Sequence, residues 1–300
     1  MKIKPKVIVI LGPTSSGKTE MSIKLAKQWN GVIISADSRQ FYRGMNIATA
    51  KTTKEQQQGI PHYMIDIANP DQDFNLSLYQ TTVYNLLHTI NRWNWIRPRK
   101  VVPFIVGGTG LYIQAIVDGY QLPRVAPNLK LREISEKKSI TALARELKKL
   151  DPKTTVDLKN KRRVVRAIEV LRSGGKLENK FVPPNFDFLQ IGIRRPPDEL
   201  NQSIHQKIQQ MHKQGVVKEA KDLLAKGYDF GKPAFSALGY QHIRDYLKGK
   251  FSLAKALELM ESDTKKFAKR QLTWFKRDKR IHWVSTLKEA EKLVADFLKR

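Results

Sequence analysis

Short apolar runs alternate with one-sided apolar stretches through the first two-fifths of the chain. Residues 7–11 are an unbroken apolar run that reads as a buried strand. Residues 20–29, with Met21, Ile23, Leu25 and Ala26, read as a helix with one apolar side. Residues 32–35 read as a second parallel strand, 61–67 as a third, 76–95 as a helix and 101–106 as a strong buried strand, with a helix starting at 111–117. Trp93 and Trp95, near the end of the 76–95 helix, read as packing residues. From 119 to 182 strand signals vanish, and helical patterns dominate at 139–150 and 161–172. Gly174-Gly175 and Pro183-Pro184 bracket the exit from this stretch, and 186–193 reads as a strand returning to the sheet. One long amphipathic helix follows over 200–224, carrying Ile204, Ile208, Met211, Val216 and Leu223. Helices are read at 235–247 and 253–260, a last strand at 281–284 and a terminal helix at 288–299. The pattern predicts an α/β fold: a parallel sheet flanked by helices over 1–118 and 183–300, interrupted by a helical insertion at 119–182.

Composition adds a partner class. Lys and Arg number 55 against 28 Asp and Glu, a formal charge of +27. A small-metabolite enzyme has no need of that excess, whereas a nucleic acid exploits it through phosphate neutralisation and counterion release. The charge is uneven. The insertion holds 17 Lys and Arg against 7 Asp and Glu, and residues 264–280 hold 8 against a single acid, interleaved with Phe267, Trp274 and Phe275. Such interleaving suits a surface that grips a phosphate backbone and offers rings to bases, although Phe267, Leu272 and Phe275 fit a core equally well. Cysteine is absent, which excludes disulfides, thiolate zinc sites and cysteine nucleophiles and is compatible with a reducing, cytoplasmic setting. The basic residues 1–6 precede only five apolar residues, too few for a signal segment. No run approaches the ~20 apolar residues of a membrane span. Nothing in the sequence demands more than a monomer.

Chemistry concentrates in three places. Gly12-Pro13-Thr14-Ser15-Ser16-Gly17-Lys18-Thr19 fits G-x-x-x-x-G-K-[ST], between a strand and a helix as that phosphate loop requires. Its glycines let backbone N–H groups converge on a phosphate, the helix start adds partial positive charge, Lys18 adds a full one, and the Thr19 hydroxyl is a Mg²⁺ ligand. Asp37 falls just past the second strand, at the sheet edge where α/β folds bind ligands. There it is either a proton acceptor or metal-water ligand, or a helix N-cap. Gly107-Gly108-Thr109-Gly110 follows the buried 101–106 strand as a second backbone nest, with Thr109 a donor to phosphate. Arg162, Arg163 and Arg166 share one side of the 161–172 helix, as a phosphate grip or as a solvated face.

Taken together, these motifs resemble the tRNA dimethylallyltransferases. The resemblance is carried by residues 12–19, Ser35-Ala36-Asp37-Ser38-Arg39-Gln40 with the following residues 41–45, Thr49-Ala50-Lys51, residues 106–112, residues 162–170, Leu238-Gly239-Tyr240 and residues 268–275, in the family's order over nearly the whole chain. It implies transfer of a dimethylallyl group from dimethylallyl diphosphate to N6 of adenosine 37 in the anticodon stem-loop of tRNA. Gly12 to Thr19 would then hold the diphosphate with Mg²⁺ at Thr19, Asp37 would be the general base and Thr109 would touch the reacting groups. Asp37, Ser38, Arg39, Gln40 and Thr109 would line the base pocket. Lys130, Arg162, Arg163, Arg166, Lys269, Arg270 and Gln271 would contact tRNA. Several positions depart from the family pattern. Pro197, Ser203 and Lys207 stand where arginines are common, leaving Lys207, Arg194 and Arg195 as candidate replacements for a diphosphate-binding arginine. His62-Tyr63 replaces a common His-His, and Ala48 a common glycine. The alternatives are an ATP-binding P-loop kinase of a small molecule, a transferase acting on free adenylate, and a tRNA-binding homologue with a weakened site.

Overall fold

The computed structural model describes residues 4–123, 125–177 and 181–300. Residues 1–3, 124 and 178–180 lie outside the described residues. They include part of the basic N-terminus and three of the charges counted in the insertion. The chain divides into two compact units, Met1–Val117 with Pro184–Arg300, and Asp118–Pro183.

In the larger unit the described strands form one six-stranded parallel sheet, and the fold is the α/β class that the apolar pattern predicts. In chain order its first half comprises β1 (Lys6–Leu11), α1 (Lys18–Gln28), β2 (Gly31–Ser35), α2 (Lys54–Gln57), β3 (His62–Tyr63), α3 (Leu76–Ile96), β4 (Val102–Gly107) and α4 (Gly110–Val117). The smaller unit contributes α5 (Leu129–Glu136), α6 (Ile140–Leu150) and α7 (Lys161–Arg172). The larger unit then resumes with β5 (Asp187–Ile193), α8 (Pro197–Lys213), α9 (Val216–Ala225), α10 (Leu238–Leu247), α11 (Leu253–Phe275), β6 (His282–Val284) and α12 (Leu287–Lys299). The strand order is β3-β2-β4-β1-β5-β6. Alternation along β1 explains the layering. Val7, Val9 and Leu11 enter one core, with Tyr79, Val83 and Leu87 of α3. Ile8 and Ile10 enter the other, with Ile23 and Leu25 of α1 and Val294 of α12. Each of these β1 side chains is fully buried, worth about 1.5–3 kcal/mol apiece.

Local physics moves several expected boundaries. The third strand shrinks to two residues, because Met64 and Asp66 adopt left-handed φ of 63° and 54°. Lys51 holds that turn by donating to the Asp66 carboxylate and the Tyr42 carbonyl. The single helix read over 200–224 is two, broken at Gly215, whose φ of +91° a side-chain-bearing residue rarely adopts. Residues 233–236 form a 3₁₀ turn before α10. The helix at 253–260 and much of the basic 264–280 stretch are one helix, α11, in which Phe275 is core and Phe267 is exposed. Trp95 contradicts its packing assignment: it is 83% exposed, because the apolar stripe of α3 runs through Tyr79, Val83, Leu87 and Ile90 and leaves 95 off it. Trp93 does pack on the core, under the Arg97 guanidinium.

The smaller unit packs α5, α6 and α7 around Leu131, Leu143, Leu147, Val164 and Ile168. Its polar anchor is Glu169, whose side chain is fully buried. The carboxylate accepts from Arg132 at 2.6 Å, from Arg166 at 3.0 Å and from the Asn128 amide at 3.0 Å. Burial alone raises this carboxyl's pKa. The bonds from Arg132, Arg166 and Asn128 outweigh that and hold it below the usual carboxylate range. Arg166 also donates to the carbonyls of Pro123 and Val125, so its guanidinium is engaged inside the unit, while Arg162 and Arg163 stay exposed. Glu169→Ala should destabilise this unit by about 2–4 kcal/mol, below the full cost of a broken buried pair because water reaches both arginines. Hydrogen exchange should show protection lost in α5 and α7; unchanged protection there would contradict the anchor.

Candidate active site

The site forms where three neighbouring strands end. β1 pairs with β4 in a register that sets Leu11 opposite Gly107, and β2 pairs with β4 with Ser35 opposite Val106. The phosphate loop, the Asp37 turn and the Gly107–Gly110 loop therefore leave the sheet side by side. Gly107 is required by this approach, since a Cβ there would run into the Ala36 backbone. The Ala36 amide donates to Val106 at 2.7 Å, and the Thr109 amide donates to Ala36 at 3.3 Å.

Asp37 lies in a turn and not at a helix start, which removes the N-cap reading. Its Oδ1 accepts from the Arg39 amide at 3.0 Å, its carbonyl from the Gln40 amide at 3.2 Å, and its own amide donates to Ser35 Oγ. The Thr109 hydroxyl accepts from the Ser38 amide at 3.3 Å, tying the two loops together. Gln40 accepts from Ser35 Oγ and donates to the Ala50 carbonyl, and Arg39 donates to the Pro233 carbonyl at 2.6 Å.

Three cations surround the phosphate loop. Lys18 donates to the Pro13 carbonyl. Desolvation, then the neighbouring Lys207 ammonium, lowers its pKa from 10.5 to about 7, against the opposing pull of Asp37. Lys207 reaches Thr14 Oγ1 at 3.4 Å, and burial lowers its pKa too, again opposed by Asp37. Arg195 donates to the Ser15 carbonyl at 3.0 Å and to Ser203 Oγ at 3.2 Å. Of the three replacements considered for a family arginine, Lys207 and Arg195 reach the loop, while the Arg194 side chain is exposed and its amide joins Val284. The buried hydroxyls of Ser15 and Ser16 have no hydrogen-bond partner in the structure.

Two cavities meet here. One of about 690 Å³ holds Lys18, Thr19, Arg195 and Gln40. The other, of about 520 Å³, is lined by Ser38, Arg39, Thr109, Phe267 and Arg270. Thr14, Asp37, Gly108, Lys207 and Gln271 belong to the walls of both. Lys269 and Arg270 are exposed on α11, with Arg270 over the Phe267 ring at 5.8 Å. Lys130, Arg162 and Arg163 are exposed on the smaller unit. Gln271, expected to face RNA, is instead buried: its Oε1 accepts from the Thr14 amide at 2.9 Å and its Nε2 donates to the Gly108 carbonyl at 2.7 Å. Sequence reasoning missed Glu219. From the first turn of α9 its carboxylate accepts the amides of Asn46, Ile47 and Ala48 and the Tyr240 hydroxyl, fixing the cavity's far wall. No sequence signal marks it, because a helical glutamate ordinarily faces water.

The depressed Lys18 pKa makes anion binding pH-dependent. A bound anion favours the ammonium, so above about pH 7 binding must take up a proton. Sulfate keeps its charge between pH 6 and 9 and is a clean probe. Its affinity should fall by up to about tenfold per pH unit above 7, and Lys18→Met should flatten that slope. Calorimetry showing a wild-type affinity independent of pH would contradict the assignment.

Comparison with known proteins adds the lineage. The IPP transferase family model matches residues 40–278, and an isopentenyl transferase model matches 5–69. A tRNA dimethylallyltransferase of Halothermothrix orenii is 41% identical over 97% of this chain and 93% of its own. One from Alkaliphilus oremlandii is 38% identical over 99% and 97%. The crystal structure of the tRNA isopentenylpyrophosphate transferase of Bacillus halodurans superposes with a TM-score of 0.75 at 34% identity, covering 99% of this chain and 97% of that one. A eukaryotic dimethylallyltransferase acting on tRNA superposes at 0.77 with 25% identity, covering 97% and 77%. With the family model matching 40–278 and these relatives matching nearly the whole chain, the chain belongs to the IPP transferase family.

Proposed function

We propose that the protein transfers a dimethylallyl group from dimethylallyl diphosphate to N6 of adenosine 37 in tRNA, releasing diphosphate. The observation that carries this reading is the position of Asp37 on the wall common to two cavities. One is ringed by the cations of the phosphate loop, and the other opens among Arg39, Phe267 and Arg270. An allylic diphosphate suits the first and an unstacked adenine the second, so donor and acceptor meet at the only carboxylate among the described residues that lines both.

In the transfer the N6 lone pair attacks the allylic C1, the C1–O bond breaks, and the bonding electrons leave with diphosphate. Asp37, held by the Arg39 amide, takes the N6 proton. Lys18, Arg195, Lys207 and the loop amides meet the charge that grows on the departing oxygen. The Thr109 hydroxyl, anchored by the Ser38 amide, faces the acceptor cavity beside the reacting amine.

The donor set fits Mg²⁺. The hydroxyl of Thr19 and the carboxylate of Asp37, both on the first cavity's wall, are hard-oxygen donors that would hold it. When bound, Mg²⁺ supplies shielding of diphosphate charge.

The anticodon stem-loop would be held by exposed Lys269 and Arg270 on the larger unit and by exposed Lys130, Arg162 and Arg163 on the smaller one. The absence of cysteine and the RNA substrate support a cytoplasmic setting, and a monomer suffices for this chemistry. Among the described residues no helix is long and apolar enough to cross a membrane. Asp37→Ala should cut transfer about 10²–10⁴-fold while tRNA affinity changes less than about twofold, since the base is lost and the grip is kept. A filter-binding and label-incorporation pair reads both, and full activity in that variant would overturn the base assignment.

A further inference from the structure

Gln271 is placed where no surface role explains it. It sits on α11 next to exposed Lys269 and Arg270, yet it is only 8% exposed itself. Both ends of its amide are used, one on each glycine-rich loop: Thr14 N–H on the phosphate loop and the Gly108 carbonyl on the loop that carries Thr109. The neighbouring atoms are shaped around it. A Cβ on Gly108 would collide with the Gln271 amide, and Gly110 lies against the Trp274 ring, one turn further along the same helix. From Gly108 the connection runs on through Thr109 to the Ser38 amide and the Asp37 turn. From Thr14 it runs to Lys207, whose ammonium reaches the Thr14 hydroxyl. One side chain therefore spans the donor half and the acceptor half of the site.

We propose that Gln271 is a positioning residue that holds the phosphate loop against the Thr109 loop and so keeps the diphosphate leaving group in line with the attacking amine. The proposal rests on the transfer reading above and reassigns this residue from RNA contact to alignment. At neutral pH an amide fits the geometry where an ionised carboxylate does not. Thr14 offers a hydrogen and Gly108 an oxygen, so the bridging group needs an acceptor and a donor on one planar end. A carboxylate satisfies Thr14 and repels Gly108; a thioether satisfies neither. Misalignment of reacting groups by about 1 Å costs on the order of a hundredfold in rate.

The test uses the full chain with Gln271→Met, which keeps volume and removes both bonds, and Gln271→Glu, which keeps one. Steady-state transfer, RNA affinity for an anticodon stem-loop, and inorganic pyrophosphate affinity are measured for each. Gln271→Met should lower kcat about a hundredfold at saturating substrates, weaken pyrophosphate binding several-fold and leave RNA affinity unchanged. Gln271→Glu should recover toward wild type as pH falls, because the neutral acid regains the donor to Gly108; should Gln271→Met fail to fold, this relative pH profile decides. Weaker RNA binding with an unaltered kcat would return Gln271 to the RNA surface and overturn the proposal, as would a Gln271→Glu to wild-type activity ratio independent of pH. A wild type without transfer would overturn the reading of function instead. In that case unchanged pyrophosphate affinity in Gln271→Met would overturn the brace independently.

Discussion

Leu11 and Gly107 face each other in the parallel pairing of β1 with β4, and this register sets the geometry of the whole site. Parallel strands end at one edge, so whatever follows β1, β2 and β4 must share that edge. The pairing is held by side chains buried on both faces, with Val7, Val9 and Leu11 in one core and Ile8 and Ile10 in the other. A one-residue slip would exchange those two sets and separate the phosphate loop from Thr109. Catalytic placement here is thus a consequence of core packing, and the loops need only short local bonds to finish it: Thr109 to Ser38, Arg39 to Asp37, Gln271 to both glycine loops.

Electrostatics does a second job. Lys18 and Lys207 crowd the same phosphate loop, and each is held below its ordinary pKa chiefly by desolvation. Two crowded, desolvated ammoniums are an unfavourable arrangement that a bound anion would relieve. The Asp37 carboxylate partly offsets that crowding. Lys269 and Arg270 of the larger unit, and Arg162 and Arg163 of the smaller, are exposed, where their charge costs little to solvate.

The sequence made legible what is written in contiguous residues. The phosphate loop, the strand before it, the Gly107–Gly110 nest and the position of Asp37 all follow from apolar runs and glycine spacing. The two-residue β3 was not legible, because the left-handed turn at Met64 and Asp66 depends on Lys51 from elsewhere in the chain. Nor was the inward role of Gln271, or the Glu219 cradle: polar residues amid helical patterns read as surface, and only the tertiary fold shows which are turned in. Arg166 misled in the opposite sense. Its helical spacing beside Arg162 and Arg163 is real, but the buried Glu169 claims its guanidinium. Trp95 shows the limit of composition, since a large aromatic near a core helix still lies outside the apolar stripe.

The most direct measurement of the central claim is label transfer from dimethylallyl diphosphate to tRNA. Purified protein is incubated with Mg²⁺, radiolabelled dimethylallyl diphosphate and unmodified tRNA, in parallel with the same tRNA carrying guanosine at position 37. Label entering the first tRNA and not the second, with one diphosphate released per group transferred, is the result the two-cavity site predicts. Label absent from both, or present equally in both, would contradict it.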